Sequence, residues 1–287
     1  MTKTHIAFMS FFLLIVSIAK SQTNVQSDFF SNNNRLKFAN HLYNEKDYLR
    51  ALGEYKEILK LVDNDTIRFR FANSFLKVGR YDEAAQNFKT LFVSSKLQEE
   101  AKFSYYQTLF FSGDYNDFRI NYDGGFYLPQ KYYKVIDRLN SATYFLQQAN
   151  LPGESKLIKP FDDSVQTKLI YFSQMIKNPP KKNPVTAALL SAAIPGAGKF
   201  YSGEITDGLI ALGATLLSGF LAVNNFQNNH QFRGWLFTGL TAFFYGGSIY
   251  GSAASAKIYN AKLKSDLNKE IKLYFEERNY FLPKIEL

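Results

Sequence analysis

The sequence predicts an all-α protein: a helical solenoid, then a small transmembrane helical hairpin, then an amphipathic C-terminal helix. Three observations point there. The dipeptides Asp47-Tyr48, Arg80-Tyr81 and Asp114-Tyr115 recur at spacings of 33 and 34 residues, the period of a two-helix repeat. Residues 185–256 carry only Lys199, Glu204, Asp207 and Arg233 as charges. Beyond them, Leu263, Leu267, Ile271, Tyr274 and Phe275 make an apolar stripe at helical spacing on a lysine-studded segment.

Composition narrows the function classes. The 287 residues are 46% apolar and 17% aromatic, enough to bury a core, with 34 Lys plus Arg against 25 Asp plus Glu. The chain has no Cys, which excludes a disulfide framework, a thiolate metal site and a cysteine nucleophile. His5, His41 and His230 fall in unrelated segments, so neither a metal centre nor a cofactor is expected. The adjacent acids Glu99-Glu100, Asp162-Asp163 and Glu276-Glu277 point to different sides of their helices and read as caps or solvated faces. No catalytic residue is named, and an enzyme is not expected.

Residues 1–21 have the form of a secretory signal peptide: Lys3, an apolar run from Ile6 to Ala19, and small residues at Ala19 and Ser21, predicting cleavage before Gln22. The rival reading is an uncleaved anchor. Losing Lys3 and Lys20 leaves 32 basic residues against 25 acidic ones. For an exported chain that excess does not imply nucleic acid as a partner.

Residues 22–177 carry the repeat. Ala39 and Ala72 are followed three residues on by Leu42 and Phe75, and Ala51 and Ala84 four residues on by Tyr55 and Phe88. Small positions let two helices cross closely, with bulk packed between them. In Gly79-Arg80-Tyr81-Asp82-Glu83, Gly supplies a turn and the acids suit a helix start. These residues resemble tetratricopeptide repeats, with the best copies at Asn33 to Asn64 and Asp65 to Gln98. A third copy, Glu99 to Lys131, has Phe118 where the family has Ala, which implies a splayed helix pair. A fourth pair is expected between Ser141 and Ile176.

The resemblance implies an α-solenoid that holds another polypeptide, here an unidentified protein or peptide, in a groove. The family's inward positions fall on Leu36, Asn40, Tyr43, Asn44, Phe69, Asn73, Leu76, Lys77, Phe103, Gln107 and Phe110. Asn40 and Asn73 match the asparagines with which chaperone-cofactor members grip a terminal carboxylate. Leu36, Phe103 and Gln107 stand where that clamp has cations, so the expected groove is apolar and amide-edged, without carboxylate capture. The alternative is that these aromatics pack on neighbouring helices or on the membrane bundle.

In residues 178–184, Pro179, Pro180 and Pro184 exclude a continuous helix and predict a stiff linker. Three apolar pieces follow: Val185 to Ile194, too short to span a bilayer; Gly208 to Val223, marginal; and Gly234 to Ala256, 23 residues without a charge, ample for a span. The polar stretch Asn224 to Phe232 closes an antiparallel hairpin. Small residues recur every fourth place at Ala188, Ala192 and Gly196, at Ala211, Thr215 and Gly219, and at Gly247, Gly251 and Ser255. Gly247 and Gly251 are the expected helix-packing residues, within one bundle or between copies in a homo-oligomer.

Pro195, Gly196, Gly198, Tyr201 and Gly203 form a corner. Its Gly198-Lys199 pair invites a phosphate-loop reading. However, Ala193 and Ile194 stand where that loop needs its first Gly, and Phe200 stands where it needs Ser or Thr. The corner with the apolar run after it resembles bacterial two-span hairpin domains, which implies membrane placement over residues 185–256 and adds no chemistry. Lys199, Glu204 and Asp207 flank it, either as a polar site at membrane depth or as the headgroup boundary. A re-entrant corner with two spans and a three-crossing arrangement both remain open. The segment 257–287 lies on the membrane surface or packs on the repeats. The expected function is a non-enzymatic scaffold of the bacterial cell envelope, held by membrane lipid. The alternative is an oligomerising membrane component with the repeats as accessory.

Overall fold

The computed structural model describes residues 31–285, so the expected signal peptide lies outside the described residues. Among them every regular element is helical. The chain divides into two units, one reaching Gln147 and taking in the residues from Phe281 onward, the other Gln148–Tyr280.

The first unit contains α1 (Asn32–Asn44), α2 (Tyr48–Leu59), α3 (Asp65–Lys77), α4 (Tyr81–Lys89), α5 (Gln98–Phe111), α6 (Tyr115–Asp123) and α7 (Tyr133–Gln147). Each helix packs on the next, as in a repeat solenoid. The backbone repeats with the sequence. Lys46, Gly79 and Gly113, again 33 and 34 residues apart, all take left-handed conformations with φ of 65°, 78° and 80°. The amides that follow the first two fold back onto the preceding helix, Asp47 N to Leu42 O at 2.8 Å and Arg80 N to Phe75 O at 2.9 Å. The Asp47 and Asp114 carboxylates then cap α2 and α6, accepting from Arg50 N at 3.3 Å and Asp117 N at 3.1 Å. Asp82 and Glu83 supply negative charge to the first turn of α4 instead.

Ala39 and Ala51 are fully buried in one cluster with Leu42, Tyr55, Ile58 and Ile67. Ala72 and Ala84 are buried in the second copy beside Phe69 and Phe88, whose rings meet edge-on at 5.4 Å. In the third copy Phe118 fills the alanine position and packs on Tyr106 at 5.2 Å. The backbones of α5 and α6 approach closely at fewer places than those of α1 and α2, consistent with a bulky residue at their crossing.

The second unit contains α8 (Glu154–Ile158), α9 (Asp163–Lys177), α10 (Pro184–Ala193), α11 (Ala197–Tyr201), α12 (Ile205–Gln227) and α13 (Gln231–Glu277). Four expectations change here. The solenoid unit stops at Gln147 rather than 177, and the expected fourth pair is split, with α7 in one unit and α9 in the other. The hairpin turn is shorter than expected, since Asn224 to Gln227 stay helical and leave Asn228 to His230 to turn; Asn225 Nδ2 and Asn228 Nδ2 donate back to Leu221 O and Asn224 O, both at 2.8 Å. The C-terminal amphipathic segment is not a separate helix. It continues α13, a 47-residue helix through which Ala, Lys, Leu and Glu run without a proline. Its stripe packs on protein: Leu267, Ile271 and Phe275 are buried, and the Tyr274 ring meets Phe172 of α9 at 5.3 Å.

The fourth change concerns membrane crossing. Among the described residues one helix, α12, is long and apolar enough to span a bilayer. The expected second span, Gly234 to Ala256, is uncharged but diluted by Gly, Ser, Thr and Tyr. Together α10 to α12 and the part of α13 before Lys257 still have an inverted polarity. Leu189, Leu216, Leu217, Phe220, Trp235, Phe243 and Tyr250 are exposed, while Ala187, Ser191, Ser218, Ser248, Ser252 and Ala256 are buried.

Candidate functional site

In the first unit the structure separates the predicted groove residues into two groups. Phe69, Leu76, Phe103 and Phe110 are removed from the groove: their exposures are 1%, 7%, 0% and 2%. Phe103 stacks on Tyr132 at 4.5 Å and Phe110 packs near Phe118 at 6.2 Å, so these positions build the inter-helix core. The alternative of packing on neighbouring helices holds for them. Asn44 and Lys77 are exposed, Gln107 is half-buried, and Leu36 is half-buried against the core of the first copy.

The remaining predicted residues form a connected polar row between α1, α2 and α3. Tyr55 Oη donates to Asn40 Oδ1 at 2.8 Å, and Arg70 Nη1 donates to the same oxygen at 2.6 Å. Asn73 Nδ2 donates to Tyr43 Oη, and the Arg70 guanidinium sits 5.5 Å from the centre of the Tyr43 ring. Burial raises the Tyr55 hydroxyl to about 12 against the opposing pull of Arg70. Burial also raises that of Tyr43, with the Asn73 hydrogen bond acting the other way. Both rings are therefore neutral donors or acceptors near neutral pH.

Arg70 is the residue that the sequence reading missed. It supplies a cation beside Asn40, so the row is not purely apolar and amide-edged. Its Nε is buried without a hydrogen-bond partner among the described residues. The side chain borders a hollow of about 210 Å³ shared with Leu36, Asn40, Asn64, Thr66 and Ile67. The signal was present in the sequence, because Arg70, Asn73 and Lys77 follow at helical spacing and share one face of α3.

In the second unit Pro195, Gly196, Gly198, Tyr201 and Gly203 have these surroundings. Gly196 takes a left-handed φ of 87°, and a Cβ there would lie 2.2 Å from the Gly208 carbonyl oxygen of α12. A Cβ on Gly198 would lie 1.8 Å from the Ala187 oxygen of α10 and 2.7 Å from the Ser252 Cβ of α13. Both are places where backbone meets backbone. Gly203 has φ 87° and open space, so it serves the turn into α12. Pro195 follows the extended Ile194 that ends α10.

Serines satisfy the corner's amides. Gly196 N donates to Ser248 Oγ at 2.8 Å, Gly198 N donates to Ser191 Oγ at 2.9 Å, and Ser191 and Ser252 share a hydrogen bond of 2.6 Å. Tyr201 Oη accepts from Asn183 N at 3.1 Å, and Lys182 Nζ lies 4.7 Å from its ring centre. Asn260 of α13 clamps the Lys182 peptide from both sides, accepting from its N and donating to its O at 2.8 Å each. The stretch expected as a linker is thus pinned within the unit.

The packing stripe on α13 is not the predicted one. Ser248, Ser252 and Ala256 are buried, one position later than Gly247, Gly251 and Ser255. Nothing lies within 4 Å of a Cβ built at Gly247, and Gly251 meets only the Lys199 side chain, its Cε at 3.3 Å. The serines win because they can both approach closely and bond the corner amides, which glycine cannot do.

Comparison of the chain with known protein families, with curated proteins and with solved structures finds no match.

Proposed function

We propose that the chain is a non-enzymatic scaffold of the bacterial cell envelope, in which a tetratricopeptide-type solenoid binds a polypeptide and the α10–α13 bundle holds it in a membrane. One observation carries the reading. Over α10 to α12 and the part of α13 before Lys257, large apolar side chains turn outward and small and hydroxyl-bearing ones are buried, an arrangement suited to lipid and costly in water. Under this reading α12 spans unaided and the Gly234 to Ala256 stretch of α13 crosses beside it, a two-span hairpin with α10 and the corner packed against it.

The binding face is the Arg70 row with Lys77. Arg70, fixed by Asn40 and bordering a hollow, offers donors to an acceptor on an incoming segment, and Leu36 and Ile67 offer apolar contact. The test uses the full chain in its membrane, with a photo-crosslinking amino acid at Lys77 or, as control, at the exposed Lys56 of α2. We expect one polypeptide adduct from position 77, absent from position 56 and lost with Arg70→Glu. An adduct that survives Arg70→Glu, or that forms equally at both positions, counts against the groove.

A second reading has its own observation. Gly239 and Gly246, seven residues apart on α13, have nothing within 4 Å of a built Cβ, an open face on which another copy could pack. If the chain is an oligomerising membrane component, Gly246→Leu reduces its size in detergent by sedimentation. An unchanged size removes that reading.

A further inference from the structure

The corner's charged residues remain without a role. Lys199 of α11 is 18% exposed, and its aliphatic stem lies along Gly251 of α13. Among the described residues its amine meets one acid, Asp207 Oδ2, at 3.6 Å, which is long for a hydrogen bond. An ammonium has three donors to place. Lys199 lines a cleft of about 280 Å³ whose walls include Ile210, Ala211 and Ala214 of α12 and Phe243, Phe244, Gly247 and Ser248 of α13, the Ser248 hydroxyl being engaged by Gly196 N. Asp207, in the first turn of α12, also lines the cleft, with its side chain 58% exposed.

We infer that this cleft is a headgroup site for a phospholipid bearing both a phosphate and a primary ammonium, of the phosphatidylethanolamine type. The proposal rests on the membrane reading above. The order of charges in the cleft selects such a headgroup. A recessed cation beside an apolar wall suits a phosphate whose glycerol and acyl carbons continue along Ala211, Ala214 and the two phenylalanines. A headgroup carrying phosphate alone would set an anion next to Asp207, where like charges repel. An ammonium a few ångströms beyond the phosphate meets that carboxylate instead. A quaternary ammonium meets the charge but has no N–H to give. Gly247 keeps the wall open, because a larger residue there would project into the cleft.

The test is native mass spectrometry of the delipidated full chain in detergent, offered phosphatidylethanolamine, phosphatidylglycerol and phosphatidylcholine in equal amounts. Phosphatidylethanolamine is expected to be retained most strongly. Lys199→Gln lowers its retention about tenfold, the effect of losing one charge-assisted hydrogen bond, and Lys199→Arg keeps it. Asp207→Asn removes the preference over phosphatidylglycerol. Ala214→Leu fills the cleft without touching a charge and also loses the lipid, so the site stays testable if Lys199→Gln unfolds. Equal retention of the three lipids by the parent chain, or full retention by Ala214→Leu, overturns the site. Vesicles of phosphatidylethanolamine and phosphatidylglycerol separate the two claims. A chain that floats with them and resists carbonate extraction but shows no lipid preference refutes the headgroup site alone. A chain that stays behind refutes the membrane reading and the site with it.

Discussion

Two regions of the molecule bury opposite alphabets. In the first unit the fully buried side chains include Tyr55, Phe69, Phe88, Phe103 and Phe145, whereas α10 to α12 and the part of α13 before Lys257 bury Ser191, Ser248, Ser252, Ala187 and Ala256 and leave Phe220 and Phe243 outside. In water, hiding a large apolar side chain stabilises a fold by about 1.5–3 kcal/mol. In lipid the same side chain gains nothing by leaving the acyl chains, so close backbone approach and satisfied amides decide which surfaces meet. Gly198, wedged between α10 and α13, and Ser191, which receives its amide, are to one unit what Phe103 is to the other.

The contrast predicts how each unit fails. Phe103→Ala should cost about 3–5 kcal/mol, the usual penalty for emptying an aromatic core position. Phe220→Ala, on the outward face of α12, should change unfolding by less than about 0.5 kcal/mol. Thermal unfolding in detergent followed by circular dichroism measures both, and comparable losses would erase the distinction. Gly198→Leu comes next, at about 3 kcal/mol or somewhat more, because its Cβ has backbone and not a movable side chain in its way. A monodisperse variant with an unchanged melting temperature would show that the corner is looser than its contacts.

A smaller effect depends on pH. Tyr55 titrates at about 12 in the folded chain against a normal value of 10.0, through burial first, with Arg70 opposing. The folded state therefore holds its proton where the unfolded chain has released it. The Tyr55 contribution is whole below pH 10 and is lost as pH rises through about 12, at up to about 1.4 kcal/mol per pH unit. Urea titrations of the parent and Tyr55→Phe between those limits should differ in slope, and parallel curves would contradict the assignment. The smallest change is a gain. Lys46 holds the left-handed position that glycine holds in the next two copies, so Lys46→Gly should raise stability by about 0.5–1 kcal/mol, the relief of a Cβ clash less the added chain entropy. A fall in melting temperature would mean that the Lys46 side chain contributes more than its strain costs.

Much of this was legible in the sequence, and the misses have causes. The repeat was readable because turn, cap and small crossing residues recur together, so Gly79 and Gly113 mark the bends where the chain bends. The groove was half readable: a resemblance assigns inward positions, but Phe69 and Phe103 lie where neighbouring helices close over them, which only the stack decides. Arg70 was overlooked because it stands between Phe69 and Phe71 and reads as a solvated interruption of an aromatic run. The α13 stripe was misplaced by one residue because two small-residue series, at Gly247 and at Ser248, interleave with the same period of four. The choice between them is made by amides on another segment, Gly196 and Gly198, out of reach of any local pattern. The limit of the hairpin helix was misplaced for a simpler reason. A change from apolar to basic residues at Lys257 changes the surroundings of a helix and need not end it.

That continuity gives α13 the mechanics of a lever. At 1.5 Å per residue its 47 residues extend about 70 Å, more than twice the hydrocarbon thickness of a bilayer. It contains no proline at which to kink. The stretch beyond Lys257, which carries the contacts to α9, is about 30 Å long, so a 10° change in tilt of the part before Lys257 displaces its far end by about 5 Å. If the membrane placement proposed above holds, a change in bilayer thickness that the helix meets by tilting is felt as a displacement at Lys168 and Phe172, where α9 meets Glu270 and Tyr274.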